Sequence, residues 1–187
     1  MSTTTDLPEL TGESQMRDVL TFYPGAQRAL FARYHIGGCS SCSFSPEETI
    51  AELCKRNEDI PVAELIEHVQ ETHDADQRIL IEPKELGEQL QGDAKPRLID
   101  IRTREEFEAV SIPDSQLYTQ ELTQEAFGNW DKESLIVICD HTGGRSLDAA
   151  AYFIGHGFAN TRALRGGIDA YSQEVDSSLA RYRVEFE

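Results

Sequence analysis

Basic residues are scarce in this chain. Its 187 residues hold 34 Asp and Glu against 17 Lys and Arg, a net charge of −17. The acidity runs through both halves and leaves no basic stripe, so neither a nucleic-acid backbone nor an anionic membrane surface is an expected partner. Long apolar runs are also missing. No window approaches the roughly 18 residues of a membrane span. The opening MSTTTDLPEL has no basic stretch followed by an apolar one, so no secretory signal is expected and the expected compartment is cytoplasmic. Cysteine is limited to Cys39, Cys42, Cys54 and Cys139. In a chain read as cytoplasmic, four thiols are not a structural disulfide framework. With 39% hydrophobic and 27% charged residues, the chain nevertheless has the composition of a folded protein.

The pattern changes near ETHDADQRIL, residues 71–80. Residues 1–13 read as a tail, 14–76 as a small all-α domain, and 77–187 as an α/β domain. In the first domain, Met16, Val19, Leu20 and Tyr23 fall at helical spacing, as do Ala26, Leu30, Phe31 and Tyr34, with Gly37-Gly38 as the expected stop. Ser45, Pro46 and Glu48 form an expected helix start with a capping box. Its inner face is Ile50, Leu53 and Cys54. Val62, Leu65, Ile66 and Val69 mark the last helix of this domain.

After residue 76, the short apolar runs QRILI, RLIDI, SQLY, LIVIC and ANTRAL read as strands separated by helical segments. Strand–helix alternation predicts a parallel sheet flanked by helices. Ligands of such sheets bind beyond the carboxyl ends of the strands. The segment IVICDHTGGRSLDAAAYF, residues 136–153, is a strand, a glycine-containing loop and a helix, a layout that gathers backbone N–H groups around an anion. Cys139 and Asp140 compete for the place at its mouth.

Three ordered segments resemble the rhodanese-like domain: LIDIRTREEFEAVSIPDS, DHTGGRSLDAAAYFIGHGF and LRGGIDAYSQEVDSSLARY. The resemblance implies the fold class, a rhodanese-like parallel sheet flanked by helices, across residues 79–183. It also implies a chemistry. A cysteine at the loop's first position attacks the outer sulfur of thiosulfate or a persulfide, becomes a persulfide and hands the sulfur on. Aligning Gly143, Arg145 and Ser146 with the family's G-x-R-S places Asp140 where that cysteine belongs. His141, Thr142 and Gly144 complete the expected anion loop. A carboxylate cannot accept a sulfane sulfur. Among the N–H donors it would act as a built-in anion. Cys139 would then end its strand as a small buried residue.

The alternative counts from Cys139. Cys139, five residues and Arg145 form C-x5-R, which resembles the loop of cysteine phosphatases and arsenate reductases. Ile138 stands where that pattern has histidine, and Asp140 would repel a phosphate at the loop mouth. A shifted sulfurtransferase loop using Cys139 belongs to the same alternative. Other residues take quieter expectations. His141 reads as a solvated loop imidazole. Asp100 and Arg102 match the family's D-x-R, with Arg102 expected to pair with an acid near the loop. Ser111 replaces the family's usual histidine. Tyr171 replaces its common tryptophan.

IGGCSSCSFSPEETI places Cys39 and Cys42 two residues apart, a spacing that suits a disulfide or two legs of a metal site. The segment VLTFYPGAQRALFARYHIGGCSSCSFSPEETIAELC resembles the small helical redox-disulfide domain associated with hybrid-cluster proteins. A related segment opens the di-iron proteins that repair iron–sulfur clusters. The resemblance implies thiol–disulfide or persulfide chemistry at Cys39 and Cys42. Two cysteines do not close a zinc site, so no metal and no cofactor is expected. The expected partner is an unidentified protein or a small sulfur carrier.

Overall fold

The computed structural model describes residues 7–37 and 44–182. The chain divides into two compact units, Met1–Arg78 and Ile79–Glu187.

Among the described residues the first unit carries four helices, α1 (Met16–Phe22), α2 (Ala26–Tyr34), α3 (Ile50–Arg56) and α4 (Val62–Arg78). Met16, Val19, Leu30, Ile50, Leu53, Cys54, Leu65 and Val69 meet in one core. Each fully buried aliphatic side chain there is worth about 1.5–3 kcal/mol. Residues 10–13, expected as tail, belong to this unit. Leu10 is buried in the same core, and the Gly12 carbonyl accepts the Ala51 N–H at 2.8 Å. The start of α3 also differs from expectation. Thr49 is the N-cap, in a reciprocal box with Glu52. Ser45 instead turns the chain before the helix, its hydroxyl donating to Glu47. Either pair satisfies the box pattern. Thr49 wins because it stands directly before the buried face that begins at Ile50. His35, in the left-handed region at φ 57°, closes α2 ahead of Gly37.

The second unit is a five-stranded parallel sheet with strand order β1-β5-β4-β2-β3. Its strands are β1 (Leu80–Ile81), β2 (Arg97–Asp100), β3 (Gln116–Leu117), β4 (Ile136–Cys139) and β5 (Thr161–Leu164). Between and after them run α5 (Pro83–Gln91), α6 (Arg104–Ala109), α7 (Gln120–Asn129), α8 (Gly144–Gly155) and α9 (Gly167–Glu174). Strand alternation sorts the core into two layers. Ile136 and Ile138 face α7 and α8, packing with Ala126, Leu147, Ala150 and Phe153. Val137 and Cys139 face α5 and α9, packing with Leu86, Ile168 and Tyr171. From β2 the chain steps outward to β3. From β4 it steps the other way to β5. The sheet therefore reverses direction between β2 and β4, the switch point where parallel α/β sheets open a crevice at their strand ends. Among the described residues no helix is long and apolar enough to cross a membrane.

Candidate functional site

At the end of β4 the strand's period of two places the two candidates on opposite sides of the sheet. Cys139 is fully buried on the α5/α9 face, away from the start of α8. Burial pushes its thiol well above the usual range, and the negative charges of Asp100 and Asp140 push the same way. A raised thiol holds less of the thiolate, which is the nucleophilic form. Asp140, one residue on, turns to the other side. Its carboxylate accepts the N–H of Gly143 at 2.5 Å and of Arg145 at 2.7 Å. Asp140 is 3% exposed. The loop thus closes on its own carboxylate at the start of α8.

Backbone geometry fixes this closure. Gly143 sits at φ +93°, where a side chain would meet the backbone of Gly166 at 2.7 Å. Gly167, at φ +58°, lies so close to the loop that a Cβ would strike the carbonyls of Asp140 and His141 at 2.5 Å. That close approach lets the first turn of α9 serve the loop. Ile168 and Asp169 donate their N–H groups to those two carbonyls at 2.9 and 3.1 Å. Ser146 is buried and its hydroxyl donates to the Gly143 carbonyl. Thr142, Gly144 and Arg145 are exposed at the rim.

Next door, β2 ends in a second buried carboxylate. Arg102 pairs with Asp100, two residues earlier and in register with Cys139 beside the loop. Its Nε lies 2.9 and 3.1 Å from the two Asp100 oxygens, its Nη2 lies 2.6 Å from Oδ2, and both side chains are almost wholly buried. Burial opposes the Arg102 charge, but the Asp100 bonds outweigh it and hold the guanidinium protonated. The remaining donor, Nη1, reaches the Tyr182 hydroxyl at 2.8 Å.

Tyr182 was not legible as a site residue. It lies in a segment without periodicity, 41 residues from His141, yet the two rings stack at 4.3 Å and 7°. His141 is therefore half-buried rather than solvated, and its Nε2 lies 3.1 Å from the Tyr182 carbonyl. That contact requires the proton on Nε2. The Tyr182 hydroxyl donates to Glu106 at 2.8 Å. Burial, assisted by that carboxylate and opposed by Arg102, pushes the phenol up to about 12.

Cys39 and Cys42 lie outside the described residues. Cys54 is buried in the helical core, and burial raises its thiol. Among the described residues no group of three or more His, Cys, Asp and Glu side chains could hold a metal ion.

A parallel sheet with a glycine-bent loop at its switch point, closed on the Asp140 carboxylate, defines the α/β class of this unit. Residues 82–174 match the family model described as "Rhodanese-like domain". The thiosulfate sulfurtransferase GlpE of Pseudomonas syringae is 34% identical over 83 residues, which are 42% of this chain and 77% of that protein. The adenylyltransferase and sulfurtransferase UBA4 of Candida albicans is 30% identical over 115 residues, 57% of this chain but only 26% of that longer protein. Among solved structures, a rhodanese-like domain protein from Staphylococcus aureus is similar, with a TM-score of 0.45 and 23% identity over 55% of this chain and 97% of that one. The chain belongs to the rhodanese-like family.

Proposed function

We propose that the second unit is a binding or regulatory module of sulfur and redox metabolism, not a working sulfurtransferase, and that the covalent chemistry of the chain resides at Cys39 and Cys42. The observation that carries this reading is the Asp140 carboxylate. It takes the two loop N–H groups that an acceptor thiolate or incoming anion would need. A carboxylate forms no persulfide, and the neighbouring Cys139 thiol is buried on the opposite face with its ionisation suppressed. The resemblance of the helical segment to redox-disulfide domains supports the assignment of Cys39 and Cys42. The partner on this reading is a protein or small molecule that carries sulfane sulfur. Relatives named as sulfurtransferases make that class of partner the first to try.

The test is intact mass of the reduced chain after incubation with thiosulfate, followed by peptide mapping. At an accepting cysteine the thiolate takes the outer sulfur, the S–S bond of thiosulfate breaks and sulfite leaves. Added sulfur is expected on Cys39 or Cys42 and none on Cys139. Sulfur on Cys139, with catalytic turnover by residues 79–187, would establish the opposite reading, a sulfurtransferase or C-x5-R enzyme built on Cys139.

A further inference from the structure

The switch-point crevice between β2 and β4 is already filled, and by the chain itself. After α9 the segment from Asp176 turns on an Asp176–Ser178 cap and the Leu179 N–H to Asp176 carbonyl bond. Leu179 then tucks against the α5/α9 layer. Arg181 forks onto the Asp169 carboxylate at 2.7 and 3.1 Å. Tyr182 completes the crossing. One face of its ring lies on His141 of the β4–α8 loop, and its hydroxyl reaches Arg102 and Glu106 beyond β2. A single side chain thus bridges the ends of the two strands that flank the crevice.

We infer that residues 176–182 form a strap over the site, and that Tyr182 is an internal occupant which must leave before any substrate or partner meets the β4–α8 loop. The way the segment is held supports release. Ala180, Arg181 and Tyr182 belong to no helix or strand. They are fastened by side-chain contacts and by the Tyr182 carbonyl, so they can open without breaking the sheet. The space beneath Ala180, Arg181 and Tyr182, walled by His141, Asp169 and Ser172, is too narrow to admit a water molecule. Ser172 is 3% exposed and its hydroxyl has no partner there. A polar group left dry under the strap is costly, and it gains a water or ligand partner when the strap lifts. Arg102 Nη1 and His141 Nε2, the two donors that Tyr182 occupies, become available at the same moment. The inference stands whichever residue performs chemistry in the loop.

The experiment is carbethoxylation of histidine in the full chain by diethyl pyrocarbonate, mapped by peptide mass. Exposed His156 serves as the internal reference. In the native chain His141 should react more slowly than His156. Tyr182→Ala should raise the His141 rate by about tenfold or more, as expected when both hydroxyl hydrogen bonds and the ring stack are lost together, a larger factor than the accompanying fall in global stability accounts for. Tyr182→Phe keeps the ring and loses the hydroxyl bonds, and should fall between the two. If Tyr182→Ala does not fold, Tyr182→Phe and Arg181→Ala carry the test by the same criterion. An unchanged His141 rate in the folded variants overturns the strap. So does a rate that rises only in step with a loss of global stability, since the segment would then be a structural clamp. In the Asp140→Cys background, faster sulfur loading from thiosulfate on adding Tyr182→Phe supports the strap, and slower loading counts against it.

Discussion

Two buried carboxylates end neighbouring strands, and the fold neutralises them in different ways. Asp100 at the end of β2 has its own cation, Arg102, held by bonds to both oxygens. Asp140 just past β4 is held instead by two backbone N–H groups at a helix start. The first arrangement is made of side chains and is closed to outside groups. The second uses backbone donors that exist whatever side chain stands at position 140. A parallel sheet can therefore keep the anion-binding geometry of its loop while the residue inside that loop changes its chemistry.

Four experiments break or sharpen this contrast. The largest effect concerns Cys139, which pairs in register with Asp100 and lies between the two carboxylates. Its alkylation by iodoacetamide at pH 8 should be about 10³-fold slower than that of an unfolded-chain thiol, since it must await opening of the fold. Rapid native-state alkylation would make Cys139 a loop residue after all. Next comes Arg102→Ala, which strands the Asp100 charge in the interior and should cost about 3–5 kcal/mol in chemical denaturation. Asp140→Ala removes only the acceptor of two N–H groups and should cost about 1–3 kcal/mol. Equal losses at the two sites would erase the distinction.

The smallest effect lies at the outer edge of the Arg102 network. Burial works against the Glu106 charge, but the bonds from Thr103 and Tyr182 prevail and hold its carboxyl below the usual range. A carboxyl lowered by folding contributes stability above its unfolded pKa and loses it as pH falls through the folded value. The part of the Tyr182→Phe stability loss that comes from the Glu106 bond, about 1 kcal/mol at neutral pH, should therefore shrink below the ordinary glutamate pKa. A pH-independent difference in denaturation midpoints would show that Tyr182 and Glu106 are not linked.

Much of the α/β unit was readable from local patterns. Each of its five strands falls within an apolar run, and α8 follows directly on the glycine loop. Strand alternation, once the register of β4 was known, also separated Cys139 from Asp140. The capping of α3 was misread because Ser45–Glu48 and Thr49–Glu52 carry the same local signal, and only the core contact of Ile50 chooses between them. Arg102 was expected to pair with an acid near the loop, and Asp100, two residues away, is that acid. The ends of strands bend, and a bend brings i and i+2 together where a straight strand would only put them on one face. Tyr182 could not be found by any local pattern. Its contacts span 41, 76 and 80 residues of sequence, and its segment has neither helical nor strand periodicity.

The short edge strand β1 has a consequence for how the chain comes to its fold. Leu80 and Ile81 pair with Ala163 and Leu164, and the Arg165–Glu82 ion pair beside them joins residues 83 positions apart. Closing so long a loop is slow, because its entropy is spent before any contact repays it. During synthesis the residues of α1 to α4 emerge first, while β1 must wait for β5. For that interval a two-residue strand trails an already exported helix with its hydrogen-bonding edge uncovered, and the time to synthesise the intervening stretch is about 4–17 s at the usual elongation rates. Chaperone dependence of this protein should accordingly rise when translation is slowed between residues 82 and 164.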